Sequence, residues 1–266
     1  MLRKEKSIKT HKLDIKKTYA EIELCRPKQL NSINEDFLTE MPKTIKKIRA
    51  NKDLRALIIK STGKAFCVGL DIDLLKKAFS DDEYFSSVLS RLRSIFLDIE
   101  SLPVPVVAIV DGITRAGGFE LMLSSDIIYA SEKAKIGDVH TNFSVPPGGG
   151  STSRLPMLVG PNKAKEIIMT ADWLSTEELK DIGLVNKVVP SDQLSIEVAK
   201  LIKKLTDKPQ SIHRTVKKMV DTSLGLNSKD GTENEINIFK EYVFKEEDAK
   251  EGFNSYIENR EPKWKI

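Results

Sequence analysis

The chain contains three short apolar, β-branched runs, and glycine-containing turns lead from them into helical patterns. The runs are "LRALIIKS", "PVVAIVDG" and "DIIYAS". The first is followed by the turn "TGKAFCVGLD" and the helical segment "IDLLKKAF", and the second by "AGGFELMLSS". Apolar runs of this length are typical of strands that are buried on both faces. The repeated order of strand, glycine turn and helix predicts an α/β fold with largely parallel sheets.

The first predicted helix has a clear start. The strand-like segment "YAEIEL" leads into the turn "CRPKQLNSIN", which contains Pro and Asn. Asn34 is a suitable N-cap, and Glu35 and Asp36 favour the first helical turn. Pro42 falls inside the helical pattern and is predicted to kink or break the helix. The apolar residues at helical spacing are Phe37, Leu38, Met41, Ile45 and Ile48.

The last quarter of the chain has a different pattern. From about Val198 onward it is helical and charged, with "IHRTVKKMVDTSL", "ENEINIFKEYVF" and "AKEGFNSYIENR". We therefore predict an α/β core over residues 1–197 and a C-terminal helical region over residues 198–266. Amphipathic helices of this kind pack on a core or on a neighbouring subunit, and we expect this region to mediate oligomerisation.

Composition narrows the class of protein. Hydrophobic residues make up 40% and charged residues 31% of the 266 positions, as in globular proteins. Two cysteines, Cys25 and Cys67, cannot form a disulfide framework and fit a reducing compartment. The run "VPVVAIV" is far shorter than the ~20 residues of a membrane helix. The basic start "MLRKEKSIKTHK" lacks the apolar segment of a secretory signal, so we expect a cytoplasmic protein.

Two glycine turns, "FCVGLD" and "AGGFEL", share one context. Each follows a predicted strand and opens a helix, where backbone N–H groups lack helical partners and the helix dipole adds positive charge. Glycine lets the backbone approach a ligand closely. Two such turns side by side would direct two N–H groups at one oxygen, as in an oxyanion hole. Glu120 follows the second turn among apolar residues, which would raise its pKa and suit it to proton transfer.

In this order, the segments resemble those of the enoyl-CoA hydratase/isomerase (crotonase) superfamily over almost the whole chain. The matching segments are "IELCRPKQLNSIN", "ALIIKSTGKAFCVGLDI", "GITRAGGFELMLSSDIIYAS", "VPPGGGSTSRLPMLVG", "STEELKDIGLVNKVVP" and "KEGFNSYIENREPKW". The resemblance implies a spiral core of repeated ββα units with a C-terminal helical region. It also implies an acyl thioester of coenzyme A as substrate, no separate cofactor or metal, and trimers that often pair into hexamers.

The resemblance further implies roles for individual residues. The amides of Leu70 and Gly117 would form the oxyanion hole, and Glu120 matches one of the two catalytic glutamates of the hydratases. The segment from Lys64 to Val68 would line the adenine and pantetheine channel, with Lys28 near the CoA phosphates. The full set of substrate- or CoA-binding candidates is Lys28, Lys64, Ala65, Phe66, Cys67, Val68, Gly69, Asp71 and Gly118.

The sequence departs from the hydratase pattern at two places. The second catalytic glutamate belongs in "KIGDVHTNFSVPPGGG", where alignment on the Pro-Gly turn puts His140. Imidazole is an acid or base near neutral pH, so His140 is the second catalytic candidate, and Asp138 would orient its ring or substitute for it. Arg115 stands where small or apolar residues are usual. It would either pair with Glu120 or recognise a carboxylate or phosphate on the substrate.

The leading hypothesis is a lyase of fatty acid metabolism that adds water to a 2-enoyl-CoA through an enolate. One alternative is another reaction on the same scaffold, such as double-bond isomerisation, decarboxylation or thioester hydrolysis. A second is a non-catalytic acyl-CoA binder. A third is an RNA-binding member, although no aromatic residues interleave with its basic helix, which argues against base stacking. The basic residues concerned are Lys43, Lys46, Lys47, Arg49 and Lys52.

Overall fold

The computed structural model describes residues 9–264, which include nine strands and eleven α-helices. The strands are β1 (His11–Ile15), β2 (Tyr19–Leu24), β3 (Ala56–Ser61), β4 (Ala65–Cys67), β5 (Val106–Val110), β6 (Ile113–Arg115), β7 (Ile127–Ser131), β8 (Lys135–Gly137) and β9 (Lys187–Val189). The helices are α1 (Glu35–Ala50), α2 (Ile72–Phe79), α3 (Asp82–Glu100), α4 (Gly117–Leu123), α5 (Ser151–Val159), α6 (Pro161–Thr170), α7 (Thr176–Asp181), α8 (Leu194–Thr206), α9 (Gln210–Ser223), α10 (Ser228–Lys245) and α11 (Glu247–Ile257). Two short 3-10 turns span Pro27–Gln29 and His140–Phe143.

The strands form two sheets that are built from the same repeating unit. The larger sheet has the order β1-β2-β3-β5-β7-β9, and the smaller one the order β4-β6-β8. Only the pairing of β1 with β2 is antiparallel among these described strands. Each successive pair, β3–β4, β5–β6 and β7–β8, places one strand in each sheet before a helix or 3-10 turn follows. This arrangement confirms the predicted α/β fold of repeated ββα units.

The three apolar runs form strands whose two faces are both covered. The runs become β3, β5 and β7 in the larger sheet. On β5, Val106 and Ala108 belong to the main hydrophobic cluster, whereas Val107 belongs to a second cluster on the opposite face. Successive side chains of a strand point to opposite faces, so continuous apolar sequence is what a doubly covered strand requires.

Helix α1 begins as the sequence predicts but is not interrupted. The Phe37 N–H donates to Asn34 Oδ1 at 3.0 Å, which confirms Asn34 as the N-cap. Of the kink or break predicted at Pro42, the break is wrong, because the helix continues to Ala50, and the kink stays a prediction. Proline inside a helix costs ~3 kcal/mol, whereas burial of each large apolar side chain contributes about 1.5–3 kcal/mol. Pro42 is exposed and lies opposite the buried face of α1. The free energy gained by burying that face outweighs the hydrogen bond that Pro42 cannot form. The buried apolar residues are Phe37, Leu38, Met41, Ile45 and Ile48.

The first C-terminal helix belongs to the core. Leu194, Val198 and Ile202 of α8 pack in the second hydrophobic cluster against the larger sheet. The predicted boundary after residue 197 therefore falls inside α8 rather than between two units. On the helices that follow, several large apolar side chains are exposed, among them Val220, Phe239, Phe244 and Phe253.

The sequence also predicts that the basic N-terminal segment is not a secretory signal and that no segment is long enough for a membrane helix. The basic N-terminal segment of the sequence begins in residues 1–8, which lie outside the described residues. Along residues 9–264, none of the helices is both long and apolar enough to cross a membrane.

The contact between α4 and β4 gives a stability prediction for Gly118. A Cβ on Gly118 would lie 2.0 Å from the carbonyl oxygen of Cys67, which is a clash between two backbone segments. We expect Gly118→Ala to lower the free energy of unfolding by roughly 3 kcal/mol or more, as measured by urea denaturation.

Gly231 provides the matched control for this substitution. It also lies in a helix, but the nearest atom to a Cβ at this position would be Leu226 Cβ, 4.0 Å away. Gly231→Ala should be neutral or stabilising by up to ~1 kcal/mol. Equal stability of the two variants would contradict the close packing of α4 on β4.

Candidate active site

The two glycine turns predicted to form an oxyanion hole are in backbone contact. Gly69 precedes α2 with a φ of +90°, and a Cβ there would lie 2.8 Å from the Gly117 nitrogen. In the other direction, a Cβ on Gly117 would lie 3.2 Å from Gly69 Cα and 3.6 Å from the Leu70 nitrogen. Any side chain at Gly69 would therefore separate the turns, so the fold brings Leu70 and Gly117 together through their glycines.

The Leu70 amide is oriented by a bridge to Ile33. The Ile33 N–H donates to the Gly69 carbonyl and the Asp71 N–H donates to the Ile33 carbonyl, both at 2.8 Å. In a parallel bridge the intervening residue turns its own N–H to the other side, so the Leu70 N–H faces away from Ile33. Gly117 begins α4, where an N–H has no helical acceptor. Within residues 9–264, neither amide donates to a protein group.

Ala116 holds a strained conformation directly before this turn. Its φ of 49° and ψ of −126° are rare for a residue with a Cβ and cost roughly 1–3 kcal/mol. The Ala116 N–H donates to the Asp138 carbonyl at 2.9 Å, which ties the turn to the segment that carries His140. Strain of this kind persists only where surrounding contacts enforce it.

Glu120 is the buried carboxylate of the site. It lies on the first turn of α4 and is 1% exposed. Its Oε1 accepts hydrogen bonds from the N–H groups of Gly149 at 2.6 Å and Ser151 at 3.2 Å. Burial raises the pKa of Glu120, although His140 and the two amides oppose the shift. Across the described residues, the alternative pairing of Glu120 with Arg115 is not formed.

His140 faces Glu120 from the opposite side of the site. Its Nε2 lies 3.9 Å from Glu120 Oε2, and its Nδ1 lies 2.7 Å from Asp138 Oδ1. The ring is 13% exposed and therefore accessible from outside. Burial alone would lower the pKa of His140, but the hydrogen bond to Asp138 and the two nearby carboxylates outweigh it and raise the pKa. The structure thus brings both catalytic candidates together.

A support for the Glu120 carboxylate was not predicted from the sequence. Arg154 donates from Nη1 to the Gly149 carbonyl at 2.7 Å and forms a two-point ion pair with Glu100 at the end of α3. A Cβ on Gly149 would lie 2.5 Å from Glu120 Oε2, so a side chain at this position would displace the Glu120 carboxylate. The glycine run before α5 is a local signal that accessible amides could be found there, but no sequence signal links Arg154 to Glu100.

The predicted ligand-binding residues divide into exposed and buried groups. Lys28 and Lys64 are exposed and lie on contacting turns, since a Cβ on Gly63 would be 2.6 Å from Pro27 Cβ. Val68 is half-buried. The side chains of Ala65, Phe66 and Cys67 are fully buried in β4, so that part of the segment reaches a ligand only through its backbone.

Asp71 has protein partners for both carboxylate oxygens. Its Oδ2 binds Ser32 Oγ at 2.9 Å and Arg26 Nη2 at 3.2 Å, and its Oδ1 accepts from the Asp73 N–H as the N-cap of α2. These contacts hold the turn that presents Leu70. Among the residues that the structure describes, no group of three or more His, Cys, Asp or Glu is placed to hold a metal ion.

Comparison with known proteins finds one family throughout. The family model for enoyl-CoA hydratase/isomerase matches residues 14–266. A probable mitochondrial enoyl-CoA hydratase of Dictyostelium discoideum is 33% identical over 243 residues, covering 91% of this chain and 86% of the relative. A crotonyl-CoA hydratase of Syntrophomonas wolfei is 32% identical, covering 93% and 95%. The crystal structure of an enoyl-CoA hydratase from Bacillus anthracis superimposes with a TM-score of 0.90 at 31% identity, covering 96% and 99%.

The burial of Glu120 predicts a pH-dependent effect of Glu120→Gln on stability. Because its pKa is raised in the folded state, the ionised carboxylate destabilises the fold above the ordinary glutamate pKa of 4.5, and fully so above the raised value. We expect Glu120→Gln, which keeps an oxygen for both amides, to raise Tm at pH 7 but not at pH 4. In chains of this size Tm changes by about 2–4 °C per kcal/mol.

Glu178→Gln is the control, because its pKa is shifted in the opposite direction to that of Glu120. Hydrogen bonds from Ser175 lower the pKa of the exposed Glu178 in the capping box of α7, so neutralising it should leave Tm unchanged or lower it at pH 7. Calorimetry at both pH values measures these shifts. A Glu120→Gln variant that is less stable than the parent at pH 7 would contradict the account of a desolvated carboxylate.

Proposed function

Because the chain belongs to the enoyl-CoA hydratase/isomerase family, we propose that Glu120 and His140 are the two groups with which it adds water to a 2-enoyl-CoA. Its homologues make it an enoyl-CoA hydratase-like enzyme. Hydration needs one group that takes a proton from water and one that delivers a proton to the α-carbon. The observation that carries the proposal is the pair of facing atoms, Glu120 Oε2 and His140 Nε2, 3.9 Å apart.

This separation suits a shared water molecule. It is too long for a direct hydrogen bond, but one water oxygen can lie ~2.8 Å from each atom. Glu120 Oε1 is already occupied by the Gly149 and Ser151 amides, so the free direction of the carboxylate is through Oε2. A water held between these atoms would be positioned for attack on the β-carbon of a bound enoyl group.

The protonation preferences of the two groups match different roles. Glu120, whose pKa burial raises, is a stronger base than an exposed glutamate and accepts a proton from the attacking water. His140, whose pKa is also raised against the effect of burial, holds the proton that moves from Nε2 to the α-carbon. The C–O bond forms at the β-carbon as the double bond breaks, and proton exchange with solvent restores both side chains. Tuned pairs of this kind are typical of general acid–base catalysis.

The glycine turns stabilise the charge that develops during this step. As water adds, negative charge moves onto the thioester oxygen, and the amides of Leu70 and Gly117 would donate to it. Support comes from the contact between the two turns and from the outward orientation of the Leu70 N–H set by Ile33. Loss of one such donor typically reduces kcat by about 10²–10³-fold.

The outer part of the ligand would follow the β4 turn. We propose that Lys28 and Lys64 attract the CoA phosphates, and that the backbone of residues 65–69, with Gly118, borders the pantetheine chain. The exposed apolar residues on α9, α10 and α11 support assembly into trimers, which would pair into hexamers. We further propose the cytoplasmic role in fatty acid metabolism that the sequence analysis predicts.

The proposal predicts specific losses of hydration activity. With crotonyl-CoA, followed by loss of the conjugated-enoyl absorbance, we expect Glu120→Gln and His140→Gln each to lower kcat by about 10²–10⁴-fold. His213→Gln is the matched control, because His213 lies in α9 with its Nε2 on the Leu205 carbonyl, and it should retain kcat. Unchanged activity in Glu120→Gln would exclude Glu120 as the base.

The same assay separates hydration from double-bond isomerisation. An isomerase needs one proton-transferring carboxylate and the oxyanion hole, so it would convert 3-enoyl-CoA to 2-enoyl-CoA and keep this activity in His140→Gln. Absence of hydration in the parent over crotonyl-CoA, medium-chain and branched 2-enoyl-CoAs, with isomerisation present, would favour this second function.

A further inference from the structure

Asp138 forms the shortest side-chain contact of His140. Its Oδ1 lies 2.7 Å from His140 Nδ1, and the carboxylate is 0% exposed. With Asp138 ionised, the carboxylate only accepts hydrogen bonds, so Nδ1 is the donor in this contact. The opposite ring nitrogen, Nε2, is then the one that faces Glu120, so Asp138 determines which atom of the ring can work on a substrate.

The other oxygen of Asp138 argues against a purely structural role. Within the described part of the chain, Oδ2 is buried and has no hydrogen-bond partner. A buried polar atom left without a partner costs about 1–3 kcal/mol, and structural carboxylates normally have both oxygens satisfied, as Asp71 does here. Asp138 therefore occupies this position at a cost to stability, beside a histidine that faces Glu120.

The backbone between the two residues is strained in a way that creates this contact. Val139 adopts a left-handed conformation with a φ of 52° and a ψ of 6°, which is an outlier for a β-branched residue. This conformation lets Asp138 and His140, two positions apart, meet side by side. The Asp138 carbonyl also accepts from the strained Ala116, so the same residue contacts both the His140 ring and the glycine turn.

We infer that Asp138 is a positioning residue that holds His140 with Nε2 directed at the reacting carbons and stabilises the doubly protonated ring. The inference rests on the proposed function, and adds to it a chain of three side chains, Asp138, His140 and Glu120. The charged groups that face His140 are Asp138 from its own segment and Glu120 from α4. The ion pair of Arg154 with Glu100 lies beyond the Gly149 backbone. Removing the Asp138 charge therefore withdraws half of the negative charge that faces the ring.

Asp138→Asn tests the role of this charge, because the amide oxygen can still accept from Nδ1. We expect kcat with crotonyl-CoA to fall by about 10–100-fold, with KM within about threefold. The charge loss lowers the pKa of His140. Since the reaction needs the protonated ring, the basic limb of the pH profile of kcat/KM should move to lower pH. A merely structural aspartate would change Tm and leave that limb in place.

A double-mutant cycle separates action through His140 from general damage. If Asp138 acts through the ring, Asp138→Asn should cause no further loss of kcat in the His140→Gln background. The Nδ1 proton resonance of His140, observed by NMR without substrate, should lie far downfield in the parent, move upfield in Asp138→Asn and vanish in His140→Gln. Additive losses in the cycle with an unmoved pH limb would overturn the inference.

Asp126→Asn serves as the matched control. Asp126 also binds a basic side chain and a backbone N–H, from Lys217 and Val106, and neither of these contacts involves Glu120 or His140. Its substitution should leave the pH profile of kcat/KM unchanged. A parent enzyme that never hydrates enoyl-CoA would defeat the proposed function, whereas the NMR resonance would still report on the Asp138–His140 contact.

Discussion

The buried carboxylate of Glu120 is the constraint on which the rest of this structure depends. An ionised side chain in an apolar interior requires compensation, and Glu120 receives it from the amides of Gly149 and Ser151. Those amides are in place because Arg154 holds the Gly149 carbonyl and is itself fixed to Glu100 on α3. The compensation is incomplete, since the pKa of Glu120 stays raised. An incompletely compensated carboxylate is what proton transfer near neutral pH requires.

The two-sheet architecture brings the remaining groups to this carboxylate. Strands β4 and β6 are neighbours in the smaller sheet, so the turns that follow them meet, and the absence of side chains at Gly69, Gly117 and Gly118 permits backbone contact. Strand β8 pairs with β6 and leads directly to Asp138 and His140. Strained residues occur at both junctions, Ala116 and Val139. The fold thus carries local strain where it positions the groups proposed to be catalytic, as functional sites commonly do.

Much of this arrangement could be predicted from residue patterns, and the limits have physical reasons. The buried strands, the Asn34 cap and the position of Glu120 on a first helical turn follow from local sequence. The continuation of α1 through Pro42 does not, because tertiary burial of its apolar face decides it. Local sequence also leaves the partner of Glu120 undecided between Arg115 and other groups. Contacts such as Arg154 with Glu100 join residues 54 positions apart, and the left-handed turn at Val139 that brings Asp138 to His140 has no local signal.

A crystal structure with a bound 3-hydroxyacyl-CoA product tests the central claim most directly. The account predicts the thioester oxygen within about 2.7–3.1 Å of both the Leu70 and Gly117 nitrogens. It further predicts the product hydroxyl beside Glu120 Oε2 and the α-carbon beside His140 Nε2. A thioester group bound away from the two glycine turns, or an α-carbon that His140 cannot reach, would contradict it.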